Sequence, residues 1–114
     1  MVNPITLTTL LLMSVFSGSA LADRHEPGLG AAIYTRSCIA CHGADGAGAM
    51  PGVPDFTSPG GPLGKTDSAL LDSILNGTAA GSTTVVMPAR GGDDNLTEQQ
   101  ARMLLTYIRR EFGK

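Results

Sequence analysis

The sequence predicts an all-α domain whose helices are joined by long glycine- and proline-rich loops. Three observations carry that expectation. Apolar residues recur at helical spacing in three segments. Two of those segments open and close on residues suited to helix caps. No segment alternates convincingly between apolar and polar residues, as a half-buried strand would.

The first helix is expected from about Leu29 to Cys38, with Ala31, Ala32 and Tyr34 as apolar members. The second is expected over Asp67 to Asn76. Thr66 is placed to cap its start, and Gly77 stands where a terminating glycine belongs. Leu70, Leu71, Ile74 and Leu75 then share one face. The third opens on Thr97-Glu98-Gln99-Gln100, which reads as a capping box. Ala101, Leu104, Leu105, Ile108 and Phe112 follow as one stripe, ending before Gly113. Between these elements, Gly43 to Gly64 holds seven glycines and four prolines, and Gly77 to Asn95 is again polar with several glycines. Connections this long are uncommon in a compact domain unless they wrap something.

Composition points the same way. The chain has 114 residues, no Trp, and aromatics at only 4%. So small and aromatic-poor a domain has difficulty closing a core from side chains alone and needs a disulfide, metal or large cofactor. Charge is nearly balanced, with 8 Lys+Arg against 10 Asp+Glu and a formal net of −2. No basic excess points to nucleic acid, and no charged run suggests an interaction tail. Asp93-Asp94 and Arg109-Arg110 read as solvated surface.

Residues 1–22 read as a secretory signal peptide. Ile5 to Phe16 is apolar and uncharged, Ala20-Leu21-Ala22 is a small-x-small cleavage pattern, and Asp23 is the first charged side chain. The start carries no Lys or Arg, so an uncleaved anchor is the competing reading. The apolar run is shorter than the roughly 20 residues that span a bilayer, and no cysteine follows it to take a lipid. Residues 23–114 are therefore expected to act as one domain in the periplasm, or otherwise outside the cytoplasm, with no stable membrane span after cleavage.

The two cysteines sit in Cys38-Ile39-Ala40-Cys41-His42. Cys-x-x-Cys-His is the attachment signature of c-type haem. Thiols at i and i+3 on a helical turn lie on one side and can reach the two vinyl groups of one porphyrin, while the next residue, His42, is directed at the iron. Competing readings are weaker. A structural disulfide would close a very small loop and leaves the histidine unexplained. A zinc site needs further ligands, and only His25 remains. A thioredoxin-like pair needs a strand–helix alternation that is missing.

The surroundings resemble the cytochrome c family, in particular small bacterial monohaem class I cytochromes, over about Gly30 to Phe112. Gly30-x-x-x-Tyr34-x-x-x-Cys38 looks like the family's N-terminal helix, and Cys41-His42-Gly43-Ala44-Asp45-Gly46 like its attachment helix. Val85-Val86-Met87-Pro88-Ala89 looks like the segment bearing the distal methionine, and Leu96 to Phe112 like the C-terminal helix. The resemblance implies terminal helices that cross, with Gly30 allowing close approach and Tyr34 and Tyr107 packing there. It implies helices and long loops wrapped around one covalent haem c.

The metal ligands implied are His42 and Met87. Met87 lies 45 positions after His42, enough chain to return on the far face of a haem. Met50, eight positions after His42, is the runner-up. Pro54 matches the family's proline whose carbonyl accepts from the ligating histidine, with Pro51 as alternative. Phe56, Leu63, Leu70, Ile74, Leu104 and Ile108 are candidates for the apolar wall. The function implied is an electron carrier, not an enzyme, passing single electrons from a dehydrogenase donor to an oxidase or other acceptor. A haem subunit of a larger oxidoreductase is the alternative, and a gas-binding or catalytic haem protein a more distant one.

Overall fold

In the computed structural model, residues 28–79 and 85–114 are described. The expected leader over 1–22 and His25 lie outside them. Four α-helices follow in order: α1 (Leu29–Ser37), α2 (Ile39–His42), α3 (Asp67–Asn76) and α4 (Glu98–Phe112). Single 3-10 turns form at Pro62–Gly64 and Ala89–Gly92. Among the described residues there is no strand, only an isolated antiparallel bridge between Thr78 and Met87.

The caps act as their chemistry dictates. The Thr66 hydroxyl accepts from the Ala69 N–H at 3.2 Å, and Gly77 ends α3 at φ +73°. The capping box closes in both directions. The Gln100 N–H donates to the Thr97 hydroxyl at 3.2 Å, and the Thr97 N–H donates to Gln100 Oε1 at 3.0 Å. The first helix differs from its expected bounds. It stops at Ser37, because Cys38 leaves helical geometry at φ −121°, ψ −34°, and the chain restarts as the short α2.

Helix α1 crosses α4 at Gly30. A Cβ there would lie 2.4 Å from the Met103 carbonyl oxygen and 2.9 Å from Tyr107 Cβ. Only glycine lets the backbones approach this closely. Tyr34 lies 5.5 Å from the Tyr107 ring and 5.3 Å from the Phe112 ring, centroid to centroid. Around the crossing, Ile33, Leu96, Ala101, Leu104, Leu105 and Ile108 are buried, and Leu70, Leu71 and Ile74 of α3 join them.

Arg109 is not the solvated residue the sequence leads one to expect. Its Nε donates to Asp67 at 2.6 Å, Nη1 to the Leu63 carbonyl at 2.8 Å and Nη2 to the Lys65 carbonyl at 2.7 Å. The guanidinium fork thereby ties α4 to the turn before α3. Asp93 is also engaged, accepting from Arg36 at 3.1 Å and from the Asn95 N–H at 3.0 Å. Arg110 lies over the Tyr107 ring at 5.8 Å.

Two expected outcomes test this frame. Gly30→Ala forces α1 from α4 and should cost roughly 1–3 kcal/mol in thermal or denaturant unfolding, against a propensity gain of about 1 kcal/mol. Gly64→Ala has open space around it and should be neutral or slightly stabilising. Arg109→Met should cost roughly 2 kcal/mol. Arg109→Lys should restore little of it, because one ammonium cannot match a planar fork of donors.

Candidate functional site

The site is built on the turn that follows α1. Cys38, Cys41 and His42 all line one cavity of about 690 Å³, within the roughly 300–1,000 Å³ of ligand and cofactor pockets. Interiors are otherwise packed to a density of about 0.75, so a space this large leaves room for a bound group. Its wall includes each of the six apolar residues expected there: Phe56, Leu63, Leu70, Ile74, Leu104 and Ile108.

Local hydrogen bonds hold the turn. Gly43 takes φ +82°, ending α2 immediately after His42. The chain then doubles back, and the carbonyls of Cys41 and His42 accept from Ala49 at 2.8 Å and Gly48 at 2.9 Å. The Tyr34 hydroxyl donates to the Gly43 carbonyl at 2.6 Å. Burial pushes the Tyr34 phenol up to about 12, reinforced by the neighbouring Cys38, Tyr107 and Asp45. It therefore stays a neutral donor at any physiological pH.

His42 is buried, and burial pulls its basicity below the usual imidazole range. Neutral imidazole is the form that binds metal. Phe56 stacks on it with centroids 4.5 Å apart and planes 12° apart. His42 Nδ1 is buried and makes no hydrogen bond. Pro54 lines the same cavity, whereas Pro51 is exposed and outside its wall.

The two thiols are free, not bridged. Burial pushes Cys38 up to about 11, helped by Cys41 and opposed by Arg36. A redox or nucleophilic cysteine is favoured by a depressed pKa, the opposite of the direction in which burial moves Cys38. Among the described residues, no group of three or more His, Cys, Asp or Glu could hold a metal ion. What fits is a group that uses two free thiols and one imidazole lining the same cavity.

A later segment of the chain brings in Met87. It is half-buried, packs against the core and lines the cavity. Its carbonyl accepts from the Thr78 N–H at 3.0 Å. A Cβ on Gly77 would lie 2.5 Å from that oxygen, so glycine is required for the approach. Met50 is 45% exposed and absent from the wall, and Met103 is 42% exposed on α4.

The sequence did not single out three further features. Phe56 is more than wall, because it orients His42. The Tyr34–Gly43 bond joins the helix crossing to the site. Arg90 lines the cavity at φ +57° and donates to the Leu96 carbonyl. A cation three residues after Met87, followed by Gly91-Gly92, was the one sequence signal available for Arg90.

The helical frame, the cavity and the Cys-x-x-Cys-His turn define a class of small haem-binding domains. The chain belongs to the cytochrome c family: the family model described as cytochrome c oxidase, cbb3-type, subunit III matches residues 25–108. It is 37% identical over 82 residues to a thiosulfate dehydrogenase of Allochromatium vinosum, covering 69% of this chain and 29% of that protein. It is 32% identical over 90 residues to a gluconate 2-dehydrogenase cytochrome c subunit of Pantoea cypripedii, covering 74% of this chain and 20% of that one. It is 35% identical over 78 residues to the cbb3-type cytochrome c oxidase subunit FixP of a Bradyrhizobium species, covering 67% and 25%. The chain thus spans less than a third of each of these relatives. Among the described residues, no helix is long and apolar enough to cross a membrane.

Proposed function

We propose that this protein is an extracytoplasmic electron carrier with one covalent c-type haem ligated by His42 and Met87. The single observation that carries the reading is the cavity that brings Cys38, Cys41, His42 and Met87 to one interior space. When bound, the haem iron supplies a one-electron ferric/ferrous couple.

The chain's residues have distinct tasks. Cys38 and Cys41 would hold the haem covalently, each thiol joined to one of its two vinyl groups as a thioether. His42 would offer a neutral imidazole nitrogen to the iron; its Nδ1 makes no hydrogen bond in this structure, and the carbonyl of Pro54, which lines the same cavity, is proposed as the acceptor it takes in the haem-bound protein, as metal-bound histidines usually require. Met87, which lines the same cavity, would offer a thioether sulfur, a ligand that raises reduction potential. Phe56, Leu63, Leu70, Ile74, Leu104 and Ile108 exclude water.

Saturated ligation leaves no position for a substrate, so the change of oxidation state is what remains. The donor and acceptor are proposed to be redox proteins, because the relatives include a dehydrogenase, a dehydrogenase's cytochrome c subunit and an oxidase subunit. Service as the haem subunit of such an assembly is the second reading, favoured by the share of those longer chains that this one spans. Export through the leader at residues 1–22 accords with haem attachment outside the cytoplasm.

Protein matured with haem-attachment machinery should keep its haem on denaturation, with a mass of Asp23–Lys114 plus one haem. Extraction of all haem into acid–acetone would sink covalent attachment. Cys38→Ala/Cys41→Ala should lose most helical circular dichroism, since the cofactor completes the interior. Ferric protein should show the weak near-infrared sulfur-to-iron charge-transfer band, and the ferrous form should bind carbon monoxide slowly. Met87→Ala should abolish the band, open the iron and lower the potential. Met50→Ala should change none of the three. The reverse pattern would move the ligand to Met50, and rapid carbon monoxide binding by the native protein would favour a ligand-binding haem over a carrier.

A further inference from the structure

The cavity wall carries three cations, Arg36, Lys65 and Arg90, and no carboxylate. This asymmetry occurs in a chain where Asp and Glu outnumber Lys and Arg, 10 to 8. A wall of this sign suits a ligand that brings its own negative charge. Two of the three cations already have partners within the protein. Arg36 pairs with Asp93 at 3.1 Å, and Arg90 donates to the Leu96 carbonyl. The ion pairs among the described residues join Arg36 to Asp93, Arg102 to Glu98 and Arg109 to Asp67. Lys65 belongs to none of them, and its ammonium donates no hydrogen bond among the described residues.

The backbone of Lys65 is nevertheless held firmly. Its N–H donates to the Pro62 carbonyl at 3.1 Å, and its carbonyl accepts from Arg109 at 2.7 Å. The next residue, Thr66, caps α3. Two neighbouring elements therefore fix where the lysine stem leaves the chain, while its charged end is left for something else.

Resting on the haem reading above, we infer that the Lys65 ammonium pairs with a propionate carboxylate of the bound haem at the rim of the cavity. Haem carries two such carboxylates, and a charge taken from water into an apolar cavity requires a counter-charge or retained solvent. Lys65 is exposed yet lines the cavity, which places it at the boundary where a carboxylate would emerge. Arg109 acts through it as a positioning residue. The pair also bears on the redox couple. Reduction adds one electron to the haem, and a cation beside the macrocycle favours the reduced form. An exposed pair of this kind weakens as salt rises.

The test uses holoprotein whose haem carboxylates are labelled with ¹³C. Lys65→Met, Lys65→Arg, Arg90→Leu and the remote charge control Lys114→Met are compared by redox titration and redox-difference infrared spectroscopy. The expected result is a lower potential and a displaced labelled-carboxylate band in Lys65→Met. Lys65→Arg should recover both, Lys114→Met should alter neither, and the Lys65→Met shift in potential should shrink at high salt. An unchanged band and potential in Lys65→Met would overturn the inference while leaving the haem reading intact. Shifts that follow Arg90→Leu and not Lys65→Met would likewise overturn it. Native protein that binds no haem would overturn both.

Discussion

The hydrogen bond from the Tyr34 hydroxyl to the Gly43 carbonyl joins the two halves of this architecture. Tyr34 is 1% exposed at the crossing of α1 and α4, where Gly30 lets the two backbones meet. Gly43 ends α2 directly after His42. One side chain thus couples the packing of the terminal helices to the position of the proximal imidazole. The aromatic contacts extend the coupling. Tyr34 meets Phe112, Phe112 meets Phe56 at 6.0 Å, and Phe56 stacks on His42. Aromatic pairs contribute only about 0.5–1.5 kcal/mol each beyond their buried area. Their larger effect here is geometric, since each ring restricts the next. A chain with few aromatics has gathered three of them along the line that leads to His42.

The Met87 part of the cavity wall is positioned by backbone. Gly77 ends α3 in a left-handed conformation and simultaneously gives the Met87 carbonyl room to approach. The Thr78–Met87 bridge then fixes that approach with a single hydrogen bond. Leu70, Leu71 and Ile74 anchor α3 against α4, and Arg109 closes the same contact from outside. The Met87 segment therefore inherits its position from α3, which inherits its own from α4. Both candidate iron ligands depend on the C-terminal helix, His42 through α1 and Met87 through α3.

How legible this was in the sequence depended on the range of each interaction. The caps of α3 and α4 are local chemistry, so Thr66, Gly77, Thr97 and Gln100 announced those boundaries directly. The attachment turn is contiguous and could be read in five residues. The end of α1 could not, because the periodicity runs through Cys38 and the break there is set by packing of the following turn. Arg109 illustrates the same limit. Its partners lie 42 to 46 positions away, and nothing in the Arg109-Arg110 pair distinguishes the fork that clamps a loop from the one that covers a tyrosine. Phe56 was recognisable as apolar, but its stacking on His42 depends on a loop that folds back through the Phe56 N–H to Gly46 carbonyl bond at 2.8 Å. Met87 and Met50 were distinguishable only by how much chain precedes each. The structure separates them physically, one in the cavity wall and the other exposed.

The same constraints bear on the choice between a carrier and a haem protein that exchanges ligands. With Met87 as the proposed ligand, an open iron would require its side chain to withdraw from the cavity. Its backbone is pinned by the bridge to Thr78 and confined against Gly77, and Pro88 behind it has a restricted φ. Withdrawal by backbone movement would break the bridge and disturb the end of α3; withdrawal by side-chain rotation would expose an apolar thioether beside Val86, itself 56% exposed. The carbonyls of Cys41 and His42 are tied to Ala49 and Gly48, which restrains the backbone that presents the histidine. An electron carrier needs this arrangement, because a group that changes charge without changing ligands exchanges electrons with little structural rearrangement. A catalyst or gas sensor needs a ligand that leaves easily, and the backbone constraints around Met87 act against such a release.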